Sequence, residues 1–518
     1  MVFMNTTNKK PVALVILDGL GYSPNKEHNP VYTAKMPTYT MFVTDYPHAL
    51  INTSGESVGL PKGIAGNSLV GHLAMGAGRV INQPITALNN AIDNGSFFNN
   101  KLLLTNFAVL KASGKTLHLM GLVSDGASHS HEKQLHALIR LAAHNGIRNI
   151  VVHAFLDGRD VTPRSAAVYL QKLDALFKEV GCGTLGSIHG RAYPMDRNER
   201  VEYITKSFDV LTQPQTPVFD SWQQAVAHYY EQGINDELIP PTALSHNCQI
   251  CDGDGLIFFN IRADRARSLT RMFLQPAHPQ LAFFITGIQY EPDFAVTGVL
   301  FEQPITEHTL LDVLEAHRYT LFTIAEKEKH AHVTYFFNGG REVKRQQETR
   351  VIVPSLPLEK VITHPQMSAP EITNAVLQSL TTKPANFYLI NYANADLVGH
   401  TGDFDATVKA LICLDEQLHK LYTQIVEKMG GTLFIVSDHG NAEDKYDPIT
   451  KQPRTAHTTN PVYFALVTKD LRGSTQLPYT VTTLADVAPC ILTYLGLPIP
   501  DEMRPHASHG KITQSCIS

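Results

Sequence analysis

Apolar and polar positions fall along this chain in blocks that predict strands alternating with helices. Val12 to Leu17 is a continuous apolar run without period-two alternation, the pattern of a strand buried on both faces of a parallel sheet. Thr116 to Val123, Ile150 to Phe155, Thr184 to His189 and Leu256 to Asn260 read as further strands. A helical period follows the first of these, with Leu135, Leu138, Ile139, Ala142 and Ala143 at i, i+3, i+4 spacing and Gly146 as a stop signal. Thr162-Pro163 predicts the opening of another helix, with a cap and a proline in its first turn. Thr323 to Glu328 leads into Lys329-His330-Ala331-His332-Val333 and then a predicted strand through Phe337. The strand Phe387 to Asn391 is followed by a long helix from Asp405 to Lys428, whose stripe of Leu411, Leu414, Leu418, Leu421 and Ile425 reads as core. Thr432 to Val436 is one more strand, and the tail after Pro498 reads as irregular.

Strands alternating with helices define an α/β protein. At 518 residues the chain exceeds a single ordinary core, so two or more domains are expected. The texture of repeated strand–helix units begins near Gln83, and the first texture resumes at Ile305. A content of 43% hydrophobic and 18% charged residues is that of a soluble globular protein. The net charge of −5 argues against a dedicated nucleic-acid or membrane surface. Met1 to Lys10 is polar and lacks the apolar region of a secretory signal, and no window reaches the roughly 18 apolar residues of a membrane span. Six scattered cysteines indicate a reducing, cytoplasmic compartment. Cys248-Gln249-Ile250-Cys251 has redox or zinc spacing, but has neither a second cysteine pair nor a thioredoxin-like context.

Candidate chemistry collects where predicted strands end, which is where ligands gather in parallel sheets. Asp18 follows the first strand and Asp438-His439 follows Val436; the bland readings are a cap and a buried salt-bridged pair. Asp396 and His400 are four residues apart, so one helical turn would place both on one face toward a metal. His457 lies in a polar loop. Three Asp and three His suit two metal ions of the kind that clamp a phosphoryl group. Ser68 stands at a helix start after glycines; it is either an N-cap or a nucleophile favoured by the positive end of the helix. Lys329 is ambiguous by itself, because most lysines are solvated. His129, Arg159, Asp160, Arg191, Arg262 and Arg265 all follow strand ends of the middle segment, with Arg197 six residues beyond Arg191. Converging, they would hold a phosphate or carboxylate; separately, they are surface arginines. His131 and His136 offer no convincing zinc pattern.

The ordered motifs carry a resemblance over nearly the whole chain. They are Leu17-Asp18-Gly19, Gly66-Asn67-Ser68 with Val70-Gly71-His72-Leu73, Ser124-Asp125-Gly126 through His131, and Phe155 through Asp160. Gly190-Arg191 through Arg197, Phe258 through Arg267, Val333-Thr334 through Gly340, Asp396 through Gly402, Asp438 through Glu443 and Ala456-His457-Thr458 continue them. In these the chain closely resembles the 2,3-bisphosphoglycerate-independent phosphoglycerate mutases of the alkaline phosphatase superfamily. The resemblance implies an alkaline-phosphatase-like parallel-sheet domain built from residues 1–82 and 305–518, with a second α/β domain, 83–304, inserted into it to bind substrate. It implies one metal ion on Asp396, His400 and His457 and another on Asp18, Ser68, Asp438 and His439, with no 2,3-bisphosphoglycerate required; the His, Asp and serine donors favour Mn²⁺, and Zn²⁺ or Co²⁺ would also accept them. It implies substrate contacts from His129, Arg159, Asp160, Arg191, Arg197, Arg262, Arg265 and Lys329. The partner would be phosphoglycerate, with no nucleic acid or membrane, and the chain would act as a cytoplasmic monomer. One position departs: the family usually has Glu after the serine, and here it is Leu69.

The implied reaction moves a phosphoryl group between the 3- and 2-hydroxyls of glycerate through a phosphoserine on Ser68. Lys329 would neutralise charge, and Asp160, oriented by Arg159, would move protons between the hydroxyls. The alternatives are a metal-dependent phosphatase, a mutase of another small phosphorylated substrate, or an inactive metal-stabilised binding protein.

Overall fold

The computed structural model describes residues 10–504 apart from 197–199, 277, 303–304 and 448–450, so Arg197 lies outside the described residues. Two compact units emerge, with boundaries between Asn82 and Gln83 and between Pro304 and Ile305, and the first unit draws on the chain to either side of the second. The α/β class holds in both.

In the first unit the apolar run Val12–Leu17 is a central strand of a seven-stranded sheet. It pairs in parallel with Phe387–Tyr392 on one side and Thr432–Val436 on the other. Leu321–Glu326 and Glu348–Val353 extend the parallel part, while Val462–Val467 and His48–Ile51 close the far side antiparallel to their neighbours in order. The missing alternation has a direct cause: Val12, Leu14 and Ile16 enter one hydrophobic cluster, and Ala13, Val15 and Leu17 enter another on the opposite face. Each large side chain so buried contributes about 1.5–3 kcal/mol. The long helix runs Phe404–Leu421 and continues as a wider turn to Lys428, with the whole predicted stripe in the core.

The second unit has its own seven-stranded sheet, ordered Thr242–Ala243, Thr184–Gly190, Ile150–Leu156, Leu117–Leu122, Gly255–Phe258, Phe283–Thr286 and Gly298–Val299. All neighbours are parallel except Thr242–Ala243. Separate clusters cover its two faces.

Two expected elements take other forms. The segment read as a strand through Phe337 is helical at His332–Phe336. Lys329, Val333 and Phe337 are all buried and four residues apart, which is one helical face rather than a strand's alternation. The helix expected to open at Thr162-Pro163 begins at Ala166 instead. Its first N–H groups are capped from far along the chain: Asp236 Oδ2 accepts from Ser165 N at 2.8 Å and Ala166 N at 2.9 Å.

Candidate functional site

Parallel register brings the strand ends of the first unit level. Leu17 lies beside Tyr392 and Ile16 beside Val436, so Asp18 and the Ser437-Asp438-His439 turn leave the sheet together. Asp396 follows one short turn later on the helix Asn394–Gly399, and His400 ends that helix with Nε2 3.1 Å from Asp396 Oδ1. Ser68 opens the helix Ser68–Ala77, but the N-cap is Asn67, whose Oδ1 accepts from Val70 N at 3.2 Å. Ser68 is thus released from capping. Its Oγ donates to Asp18 Oδ1 at 3.0 Å, lies 3.1 Å from His439 Nε2, and accepts from Lys329 Nζ at 2.7 Å. Gly71 permits this approach, since a Cβ there would sit 2.7 Å from Asp438 Cβ.

Lys329 is buried and ion-paired. Its ammonium also donates to Asp18 Oδ1 at 2.8 Å and Asp396 Oδ2 at 2.7 Å. Burial works against its charge, but Asp18, Asp396 and Asp438 outweigh that and hold its pKa above the ordinary lysine value. Burial likewise works against the Asp396 and Asp438 carboxylates. Lys329, His400 and His457 around Asp396, and His439, His72 and Lys329 around Asp438, bring both below the usual carboxylate range.

The donor set fits metal ions. His400 Nδ1 and His457 Nδ1 each lie 2.8 Å from a backbone carbonyl, those of Thr455 and Gly66, so each ring carries its hydrogen there. Their Nε2 lone pairs then face each other at 3.0 Å, with Asp396 Oδ1 3.1 Å from His457 Nε2. These atoms converge on one point: against the effect of burial, the Asp396 carboxylate raises the His457 pKa, and a proton on that ring or a metal ion can bridge them. Asp438 Oδ2 is buried with imidazole nitrogens beside it, His72 Nδ1 at 3.2 Å and His439 Nε2 at 3.6 Å. Among the described residues, Asp396–His400–His457, Asp18–Asp396–His439 and Asp18–His72–Asp438 each bring ligand atoms within 4.8 Å of one another. His72 is already engaged: Nδ1 meets the Ser68 carbonyl at 2.8 Å, and Nε2 accepts from Asn391 Nδ2 at 3.0 Å. It braces the serine turn, as Asn391 braces Asp18 Oδ2 at 2.9 Å. Neither bracing role was read from the sequence, although His72 stands in a motif and Asn391 ends the predicted strand. Leu69 is half-buried and packs on the hydrophobic core.

The second unit gathers a different set. Arg191, 1% exposed, donates through Nη1 to Asp157 Oδ1 at 2.6 Å and Asp160 Oδ2 at 2.5 Å. Asp157 is the anchor, accepting also from Ser124 Oγ at 2.6 Å and from the N–H groups of Arg159 and Asp160 at 3.2 and 3.0 Å. It was missed because a carboxylate among several at a strand end carries no distinguishing pattern. His129 is buried, with Nδ1 3.8 Å from Asp264 Oδ1. Burial, and then the Arg191 charge, push its imidazole down to about 4. Arg262 pairs with Asp264 at 3.0 Å, both exposed. The expectation that Arg159 orients Asp160 is corrected: Arg159 Nη1 bonds Glu237 Oε1 at 3.2 Å, and Arg191 holds Asp160. The more buried guanidinium, already anchored by Asp157, is the one within reach. His131 caps the helix Glu132–His144, accepting from Lys133 N at 3.1 Å. Cys248 is buried and donates to the Gly186 carbonyl, and burial raises the thiol pKa of both Cys248 and Cys251.

The fold and cluster define a class: an α/β enzyme with a serine set among carboxylates, imidazoles and a lysine able to hold metal ions. A family model described as "BPG-independent PGAM N-terminus" matches residues 88–295. The chain is 41% identical over 506 residues to the 2,3-bisphosphoglycerate-independent phosphoglycerate mutase of Legionella pneumophila (strain Corby), covering 96% of this chain and 97% of that one. It is 40% identical over 512 residues to that of Pseudomonas aeruginosa (strain UCBPP-PA14), covering 96% and 98%. The solved Leishmania mexicana phosphoglycerate mutase, crystallised at low cobalt concentration, superposes with a TM-score of 0.67 at 29% identity over 97% of this chain and 98% of that one. The chain belongs to the 2,3-bisphosphoglycerate-independent phosphoglycerate mutase family, and it is an isomerase.

Proposed function

We propose that this chain interconverts 3-phosphoglycerate and 2-phosphoglycerate, in glycolysis and gluconeogenesis and without 2,3-bisphosphoglycerate, through a phosphoserine on Ser68. The observation that carries the reading is the buried Ser68 Oγ within 3.1 Å of Asp18, His439 and Lys329, in a chain of this family. Asp396, His400 and His457 would hold one divalent ion and Asp18, Ser68, Asp438 and His439 a second, with Mn²⁺ favoured by the mixed oxygen and nitrogen donors. When bound, such ions supply positive charge against phosphoryl oxygens and lower the pKa of the serine hydroxyl.

The chain's own groups then divide the work. Ser68 Oγ, as the alkoxide, attacks phosphorus and the bond to the 3-oxygen of glycerate breaks. Lys329, 2.7 Å from Ser68 Oγ, stabilises the negative oxygens through its ammonium. His129, Arg159, Arg191, Arg197, Arg262 and Arg265 retain glycerate through its carboxylate. Asp160, held by Arg191, takes the proton of the 2-hydroxyl and passes it to the 3-oxygen, and the 2-oxygen then attacks the phosphoserine and frees Ser68 Oγ. A cytoplasmic monomer is part of this proposal. Among the described residues, no helix is long and apolar enough to cross a membrane.

The test is an enolase-coupled assay of 3-phosphoglycerate after chelation, with Mn²⁺ added back and free phosphate followed in parallel. Restored 2-phosphoglycerate with little phosphate supports the mutase. Phosphate alone would make it a phosphatase from which glycerate escapes, and metal binding without turnover would make it a binding protein.

A further inference from the structure

Lys445 is 4% exposed, and among the described residues no carboxylate lies within hydrogen-bond reach of its ammonium, whose acceptors there are all neutral oxygens. Nζ donates to the Gly399 carbonyl at 2.9 Å, to Asn441 Oδ1 in a short bond, and to the Arg454 carbonyl at 3.3 Å. Three donors meet three acceptors, which satisfies the buried ammonium. Two of the acceptors belong to segments that carry the Asp396–His400–His457 group, and the third, Asn441, bonds Asp396 directly. Gly399 is the residue before His400 and ends its helix. Arg454 precedes Thr455, whose carbonyl accepts from His400 Nδ1 at 2.8 Å, and it stands three residues before His457. Asn441 donates from Nδ2 to Asp396 Oδ1 at 3.1 Å. An ammonium only donates, so it must face the amide oxygen; the amide nitrogen is therefore turned toward Asp396.

We propose that Lys445 is a positioning residue that fixes the orientation of Asp396, His400 and His457 toward a metal ion. Losing it frees the Asn441 amide to flip and unties the His400 helix end from the His457 loop. Groups that orient metal ligands in this way typically change metal affinity or activity 10–100-fold when removed. The proposal rests on the reading that this group holds an ion, so the two are tested together but separably.

The experiment is Mn²⁺ uptake by the full-length protein, read from the electron paramagnetic resonance of free Mn²⁺, for wild type, Lys445→Met, Asn441→Ala, His400→Ala and the Lys445→Met/His400→Ala pair. Wild type takes up two ions. In Lys445→Met one of them weakens about 10–100-fold and the other is unchanged, while kcat falls with KM little altered. The weakened ion is the one His400→Ala removes, so the double variant is no worse than His400→Ala alone. Wild-type affinities and kcat in Lys445→Met overturn the proposal. If Lys445→Met does not fold, Asn441→Ala decides: selective loss of the same ion supports the proposal, and two unchanged affinities overturn it. A wild type that binds two ions beside an unaffected variant removes Lys445 alone, whereas a wild type that binds none removes the metal reading and this proposal with it.

Discussion

Ser68 gains its setting from neighbours rather than from its own chemistry. A serine hydroxyl is a weak nucleophile until a base, a charge or a metal lowers its pKa. Here one ammonium, one carboxylate and one imidazole lie within 3.1 Å of its oxygen. Ser68→Ala removes the attacking atom and leaves Asp18, Asp438 and His439 in place. The expected outcome is a loss of turnover of about 10³-fold or more in the enolase-coupled assay, with Mn²⁺ still bound. Full turnover in that variant would sink the phosphoserine scheme. Leu69, next to it, was the one departure noted from the family pattern. Its side chain joins the hydrophobic core, where the transfer of an apolar side chain out of water is favourable.

At the scale of elements, the helix Ser68–Ala77 is set by close backbone approach. A methyl group at Gly71 would lie 2.7 Å from Asp438 Cβ, so Gly71→Ala must push the helix start away from the Asp438 turn. A displacement of about 1 Å is expected to cost about 10²-fold in kcat, with the Tm lowered; an unchanged kcat would show that the turn yields instead. In the second unit, three adjacent strands share a buried polar chain. His118 Nε2 meets Asp254 at 3.3 Å, His118 Nδ1 meets His153 Nε2 at 3.0 Å, and Ser187 Oγ joins His153 Nδ1 at 2.8 Å to His189 Nε2 at 2.7 Å. Burial, with His118 and His189 nearby, holds His153 well below the usual histidine range, and burial pushes His189 down to about 3. An imidazole kept neutral in the fold and free to charge in the unfolded chain contributes stability that is complete above about pH 6.5. That contribution is lost as pH falls toward 3. For His189 the loss by about pH 4.5 is roughly 3 kcal/mol. Urea unfolding between pH 7.5 and 4.5 should show this decline, with a slope smaller by about one proton in His189→Gln; equal slopes would refute it.

At the scale of the whole molecule, the first sheet is assembled from both ends of the chain, while the second unit closes on itself. Residues 83–304 hold a complete sheet with apolar clusters on both faces. Expressed alone, that segment is expected to unfold in urea in one cooperative transition and to bind Mn²⁺ no better than background, because the three clusters of ligand atoms among the described residues lie in the first unit. A fragment without a sigmoidal transition would show that its core depends on the rest of the chain.

The central strands were legible in the sequence because burial on both faces leaves an unbroken apolar run, and Val12–Leu17 and Thr432–Val436 fall where the pattern puts them. Their parallel pairing also made Asp18, Asp396 and Asp438 readable as neighbours, since ligand residues follow strand ends. The long helix was equally legible through its stripe of Leu411 to Ile425. Other features depend on contacts between residues distant in sequence, which no local pattern records. Asp236 caps a helix that starts after Ser165, Arg191 rather than Arg159 takes Asp160, and His332–Phe336 turns helical against its neighbours. Asn391, His72 and Lys445 hold the cluster from behind. The sequence by itself determined which residues could carry the chemistry, because side-chain type and strand-end position are local. Only the tertiary structure decided which of them are braced by which partners, because hydrogen-bond partners are chosen by proximity in space.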